Sequence, residues 1–308
     1  MPSLLTHYFF AQDAFKTLIS EERALKGQQD AFSLGSQGPD PLFYYGLLPK
    51  RPLHPFAALK KYGNQLHHLD GTALFSSLQQ ELGSMEEGEE KNVFLAFCYG
   101  QFAHYLLDST AHPYIFYWSG FDEQGALSGK YHYAHAHFEG RIDASLAFER
   151  GKEELTARPE KVLEIDPKKL EIISKHFSKS VNRVFKAHLP ARYYRNALYN
   201  MRDTYVIVNG RPAEKGLMKQ LYIPRKPQPA VMNEGHLVWM HPVSGESSSA
   251  SLKELYEKAL SRFKNALSEE GSFYQKAESE LNGRTYDGIL PGYKRTYKDR
   301  EGRLAKDD

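Results

Sequence analysis

The chain has 308 residues, with 40 Lys and Arg against 38 Asp and Glu for a net charge of +2, 41% hydrophobic residues and a single cysteine, Cys98. An apolar fraction of this size fills a core, so the chain reads as a folded, soluble globular protein, and its near-cancelling charges exclude the basic surplus expected of a duplex-DNA binder. One cysteine excludes an internal disulfide, the longest apolar run, Val93 to Tyr99, falls far short of the roughly 18 residues of a membrane span, and Met1 to His7 carries no export signal, which points to a cytoplasmic location, or to a secreted one if a leader has been removed.

Apolar residues recur at helical spacing and strand patterns are few, so the predicted class is all-α. A first helix is predicted from Thr6, which can cap it, to Ile19, with Phe9, Phe10, Phe15 and Leu18 on its stripe. Gly35-Ser36-Gln37-Gly38-Pro39-Asp40-Pro41 reads as a tight, shaped loop. Helices are predicted over Pro55–Gly63 and Gly71–Leu82. A long one from Glu89 to about Asp108 is apolar on every side, at Val93, Phe94, Phe97, Phe102, Leu106 and Leu107, and therefore belongs in the centre. Pro113 is expected to push His112 out of helical geometry, onto a loop just past the helix end. A helix over Ala134–Phe148 is followed by a polar connector from Arg150 to Asp166, then by helices over Lys168–Lys186 and Arg192–Tyr205. Val206-Ile207-Val208 is strand-like, and Asn209 to Pro242 reads as irregular, broken by Pro212, Pro224, Pro227 and Pro229. A last amphipathic helix carries Leu252, Leu255, Tyr256, Ala259, Phe263, Ala266 and Leu267 on one stripe. The tail, about residues 287–308, is expected to be loosely held. With no internal repeat and no strongly polar linker, residues 1–308 read as one domain.

Of 13 histidines, nine lie in the first 137 residues. His104 and Asp108 stand four apart on the buried central helix, so both project from one face, one turn apart. A metal ion is a natural reason to place an imidazole and a carboxylate there, because it neutralises the carboxylate and takes the nitrogen lone pair. Gly100, one turn earlier on that face, leaves room for another chain segment. His135 and Glu139 repeat the device on the next helix, with His132 one turn earlier. His137, two residues from His135, points elsewhere. His112, beyond the first pair, can turn towards a different ion. His7, Asp40 and the adjacent His67 and His68 complete a set of nitrogen and oxygen donors. Taken singly, Asp40 reads as a turn residue, His7 as a polar residue at a helix start and the His104/Asp108 pair as a helix-surface hydrogen bond; the repetition favours metal. Imidazole and carboxylate without thiolate favour zinc over iron or manganese. His54, His176, His188, His236 and His241 read as ordinary polar residues, and Cys98 as a small buried apolar one.

The order of these residues resembles the zinc-dependent phospholipase C family, whose helical fold is shared with single-strand-specific zinc nucleases. The matching features are Thr6-His7-Tyr8, Gly38-Pro39-Asp40-Pro41, Leu66-His67-His68-Leu69-Asp70, His104 with Asp108 and then His112, and His135 with Glu139. Asn233-Glu234-Gly235-His236 with Trp239, followed by Ser251-Leu252-Lys253-Glu254-Leu255-Tyr256, resembles the end of bacterial members. The resemblance implies a single-domain helical bundle with a buried cluster of two or three zinc ions. Asp40, His67, His104 and Asp108 would surround one ion, and His112, His135 and Glu139 another. His7, a bridging Asp108 and the free N-terminal residue would hold the third. Family members present an N-terminal tryptophan there, which this chain lacks; removal of Met1 would expose the Pro2 amine, five positions before His7, as a replacement chelator. His67 fits the Leu-His-x-x-Asp pattern, with His68 as the alternate; His132 is a further alternate.

Two zinc ions bridged by Asp108 would lower the pKa of a shared water so that zinc-bound hydroxide attacks a phosphodiester phosphorus in line, with Asp40 orienting that water or accepting its proton. Phe43, Tyr44, Tyr45, Tyr114, Tyr117 and Trp118 are candidates to wall the pocket. A phospholipid, a nucleotide and a small soluble diester offer the same reacting group, so a nuclease-like or small-molecule phosphodiesterase is the alternative enzyme. A metal-stabilised interaction protein without turnover is the alternative from another class. The adjacent His-Asp pair of HD-type phosphohydrolases, a Walker loop, a Gly-x-Ser-x-Gly elbow and a dinucleotide glycine motif are all absent.

Overall fold

The computed structural model describes residues 4–47, 56–120, 131–210 and 222–292, apart from the side chains of residues 56–60 and 131–133. Pro2, His54, the Pro55 start of a predicted helix, Pro212, the side chain of His132 and the tail beyond residue 292 lie outside that set. Among the described residues there are ten α-helices: α1 (Leu4–Glu21), α2 (Gln29–Gly35), α3 (Phe56–His68), α4 (Gly71–Gly83), α5 (Glu89–Ser119), α6 (Tyr131–Glu149), α7 (Pro167–Phe185), α8 (Tyr193–Gly210), α9 (Leu252–Ser268) and α10 (Phe273–Leu281). The only sheet among them is a two-residue antiparallel pair, β1 (Trp239–Met240) on β2 (Ser247–Ser248), with Trp239 opposite Ser248. The fold is all-α, as predicted. No helix among the described residues is long and apolar enough to cross a membrane.

One contiguous apolar core runs from Leu4 to Tyr286, and α5 passes through its middle. Acidic Glu89 and Glu90 in the first turn of α5 complement its macrodipole, and from Val93 to Tyr117 almost every side chain is buried. Several surrounding helices start on local signals. Asp70 caps α4 through the Thr72 amide, Asp166 caps α7 with Pro167 at the first helical position, and Ser251/Glu254 and Ser272/Gln275 form capping boxes on α9 and α10. The predicted stripe of α9 is buried throughout.

Four expectations are corrected. Helix α5 runs through Pro113 to Ser119, so His112 is helical. A proline ring conflicts mainly with the carbonyl four residues back; the carbonyl of that residue, Ser109, is instead covered by Gly288, where an added Cβ would lie 2.2 Å from it. Val206-Ile207-Val208 is the last part of α8 rather than a strand, because Tyr205 and Val208 are buried at helical spacing while Val206 and Ile207 face outwards. The connector after α6 forms two short 3-10 helices, Glu153–Thr156 and Pro159–Leu163, whose Thr156, Val162 and Leu163 are buried. Asp287 to Ile289 are buried, not loose: Thr285 N donates to Ile289 O and Arg284 donates to Gly288 O, closing a turn against α5.

The space foreseen at Gly100 is used by α2. The two helices cross at Gly35 and Gly100, where a Cβ on Gly100 would lie 2.2 Å from Phe32 O and 2.8 Å from Gly35 Cα. The obstructing atoms are backbone and cannot swing aside. Gly100→Ala is therefore expected to destabilise the protein by about 3 kcal/mol, read as a lower denaturant midpoint at unchanged slope; an unchanged midpoint would show that α2 has other room.

Candidate metal centre

Helix α5 supplies the centre of the site. His104, Asp108 and His112 occupy successive turns of one face because the helix continues past Pro113. The loop after α2 supplies Asp40, which opens a 3-10 turn over Asp40–Tyr44. That loop is held onto α5 by Gln101, whose amide donates to Gly35 O and Gly38 O at 3.0 Å. Gly38 has φ +57°, and a Cβ there would lie 2.2 Å from the His104 ring, so glycine alone fits both the turn and the contact. The last turn of α3 brings His67, the first turn of α1 brings His7, and α6 brings His135 and Glu139.

Five histidines and three carboxylates thus meet in the interior, none more than 8% exposed. His7 Nε2 lies 3.0 Å from Asp108 Oδ1, and His104 Nε2 lies 3.0 Å from Asp108 Oδ2. His67 Nε2 is 2.9 Å and His104 Nε2 3.9 Å from the two oxygens of Asp40. His112 Nε2 and His135 Nε2 approach Glu139 Oε1 at 3.7 and 3.2 Å. The donors fall into three buried groups that could each hold an ion: His7/His104/Asp108, Asp40/His67/His104 and His112/His135/Glu139, with donor atoms in each group all within 4.8 Å of one another. His68 is exposed and bonds back to Asn64 O, away from the others.

The hydrogen bonds at the back of the rings test whether these groups suit a metal. His67 Nδ1 donates to Gly63 O (2.8 Å), His104 Nδ1 to Ser36 O (3.0 Å) and His112 Nδ1 to Tyr286 O (2.9 Å). A carbonyl cannot donate, so Nδ1 carries a proton in each ring and Nε2 faces the carboxylates, the orientation in which a neutral ring would offer its Nε2 lone pair to an ion. Lone pairs facing carboxylates in a buried site repel unless a cation lies between them. His104 Nε2 and Glu139 Oε2 are buried with no hydrogen-bond partner, as atoms reserved for an ion would be. Burial would push the Asp108 carboxyl up, but His104, His112 and His7 hold it well below the usual carboxylate range. Glu139 is likewise held low against its burial, by His135 and His112. Burial, helped by the neighbouring His112, lowers His135 against the pull of Glu139, whereas Asp108, Glu139 and Asp287 overcome burial at His112 and push it up to about 9. The donor set fits a divalent cation with a preference for nitrogen and oxygen.

Four residues at the site escaped sequence reasoning: Tyr286, Asp287, Asp143 and Phe116. Tyr286 gives its carbonyl to His112 and sets its ring 5.1 Å from that of His67, and Asp287 Oδ1 lies 3.6 Å from His112 Nδ1. Nothing in their local sequence separates them from the tail. Asp143, one turn after Glu139, bonds the start of α1, and its helical spacing from Glu139 was a usable signal. Of the expected pocket aromatics, Phe43 stands 5.0 Å from His67. Tyr44 and Tyr45 pair with Tyr205 and Tyr193. Tyr114 turns away to Trp239 and donates to Val231 O. Phe116 is the ring that lies against His112 and His135, at 5.2 and 5.0 Å.

An all-α fold built around a buried cage of imidazoles and carboxylates defines a protein whose interior could hold metal ions. The family model described as zinc dependent phospholipase C matches residues 6–195, and the chain belongs to that family. No curated protein and no solved structure matches it.

Proposed function

We propose that the protein hydrolyses a phosphodiester by attack of water on phosphorus, with phospholipid as the substrate class its family implies. The observation that carries this reading is the convergence of five histidines and three carboxylates whose Nε2 atoms and oxygens face one another in the interior. Asp40, His67, His104 and Asp108 would hold one zinc ion, and His112, His135 and Glu139 a second. His7 and Asp108 would hold a third, with the Pro2 amine as a further donor. Zinc held there would supply Lewis acidity, lowering the pKa of water and offsetting charge that grows on the phosphoryl oxygens.

The chain's own groups do the remaining work. Asp40, buried beside His67 and His104, accepts the proton of the attacking water as the bond from oxygen to phosphorus forms; the bond from phosphorus to the leaving oxygen breaks on the opposite side. Carbonyls of Gly63, Ser36 and Tyr286 hold His67, His104 and His112 in the Nδ1–H tautomer throughout. Phe43 and Phe116 bound the site with apolar surface that excludes water.

Asp40→Asn keeps an oxygen donor and removes the base. It is expected to lower zinc-dependent hydrolysis of bis(p-nitrophenyl) phosphate by about 10²–10⁴-fold while metal content stays at the wild-type value. Full activity in that variant would sink the base assignment. No turnover by metal-loaded wild type, across a panel of phospholipid vesicles, single-stranded nucleic acid and the small diester, would favour a non-catalytic metal-stabilised protein. Preference within the panel separates a phospholipase from a nuclease-like enzyme.

A further inference from the structure

Thr6 does not cap the first helix. It lies inside α1, and the first-turn amides, which have no acceptor within their own helix, are taken by a residue far away in sequence. Asp143 Oδ1 accepts from Thr6 N and from Thr6 Oγ1, each at 2.7 Å, and Asp143 Oδ2 accepts from Leu5 N at 3.0 Å. The carboxylate is 1% exposed. It satisfies buried donors at the positive end of the α1 dipole, where a negative charge is stabilised.

The position of this contact gives it a further consequence. Asp143 stands one turn after Glu139 on α6, on the same face. His7 follows Thr6 directly and reaches Asp108 at 3.0 Å. The same turn of α1 is held from its other side by the loop that carries Asp40: Gln37 Nε2 donates to Leu4 O at 3.3 Å, and Ser36 Oγ donates to His7 O at 3.2 Å. A buried carboxylate therefore ties the helix that delivers His7 to the helix that delivers Glu139, and sets the distance between these two parts of the cage. We propose that Asp143 is a positioning residue that clamps the first turn of α1 to α6, so that His7 is presented to Asp108 and the ion they share is retained. This rests on the reading of His7 as a metal ligand.

The test uses full-length, zinc-loaded protein. Asp143→Asn keeps the side-chain shape but turns an amide N–H towards the Leu5 N–H. Hydrogen exchange of the first turn of α1 is expected to rise roughly fivefold to thirtyfold, and elemental analysis after dialysis is expected to show the same metal loss as His7→Ala, with the remaining ions kept. Thr6→Val removes one of the three bonds and should shift exchange the same way by less. It carries the test if Asp143→Asn does not fold. Unchanged exchange in the first turn would overturn the clamp, as would wild-type metal content in Asp143→Asn when His7→Ala has lost an ion. If His7→Ala keeps every ion, the ligand reading of His7 fails instead, and the exchange result still decides whether the clamp exists.

Discussion

Asp108→Asn is expected to cost the protein at least one metal ion and on the order of 10³-fold in phosphodiester hydrolysis, with helical content unchanged. The size of the effect follows from where the carboxylate sits. Its two oxygens reach three histidines, His7 and His104 at 3.0 Å and His112 at 3.9 Å. Burial opposes its ionisation, and the combined field of His104, His112 and His7 reverses that opposition, so it is an anion at neutral pH. Asparagine has nearly the same volume, so packing around α5 is preserved. It removes the negative charge and leaves one uncharged oxygen to serve the two groups that Asp108 adjoins. Elemental analysis and a diester assay on one preparation check the expectation. Wild-type metal content and turnover in the variant would show that the groups on either side of Asp108 hold their ions independently.

Chelation of the metal is expected to lower the melting temperature by about 10 °C, and zinc should restore it. With the cage filled, the bound ion stabilises the folded state by the usual linkage, about 4 kcal/mol at a thousandfold excess over its dissociation constant, and a domain of this size loses a few degrees per kcal/mol. Without an ion, the carboxylates of Asp40, Asp108 and Glu139 are buried among imidazoles whose Nδ1 protons are already committed to carbonyls. Protonation of His112, pushed up to about 9, relieves part of that repulsion in the metal-free protein. His135, pulled down by burial, does not follow. Melting curves with and without a chelator, with metal content measured on both samples, provide the check. Identical curves for loaded and stripped protein would mean that the cage carries no stabilising ion.

The class of fold and most of the histidines and carboxylates that converge in the interior were legible in the primary structure. Apolar spacing identified the central helix as buried on all sides, and residues four apart on one helix are neighbours whatever the rest of the chain does, so His104 with Asp108 and His135 with Glu139 could be paired without coordinates. The order of the motifs then pointed to the family that matches residues 6–195. Gly100 marked a close approach of chains because only a missing Cβ allows one.

Tertiary contacts decided the rest. Helix α5 continues through Pro113, and the Ser109 carbonyl that proline leaves without its helical donor lies against Gly288, 175 positions beyond Pro113 in the numbering. The cap of α1 comes from Asp143 rather than Thr6 because a buried carboxylate on α6 satisfies two amides and a hydroxyl at once. Tyr286 and Asp287 enter the site through a turn that has no local signature. Helical periodicity is a short-range property, written in residues three and four apart, whereas caps, covered carbonyls and the tautomer of each histidine are set by groups that meet only when the chain has folded.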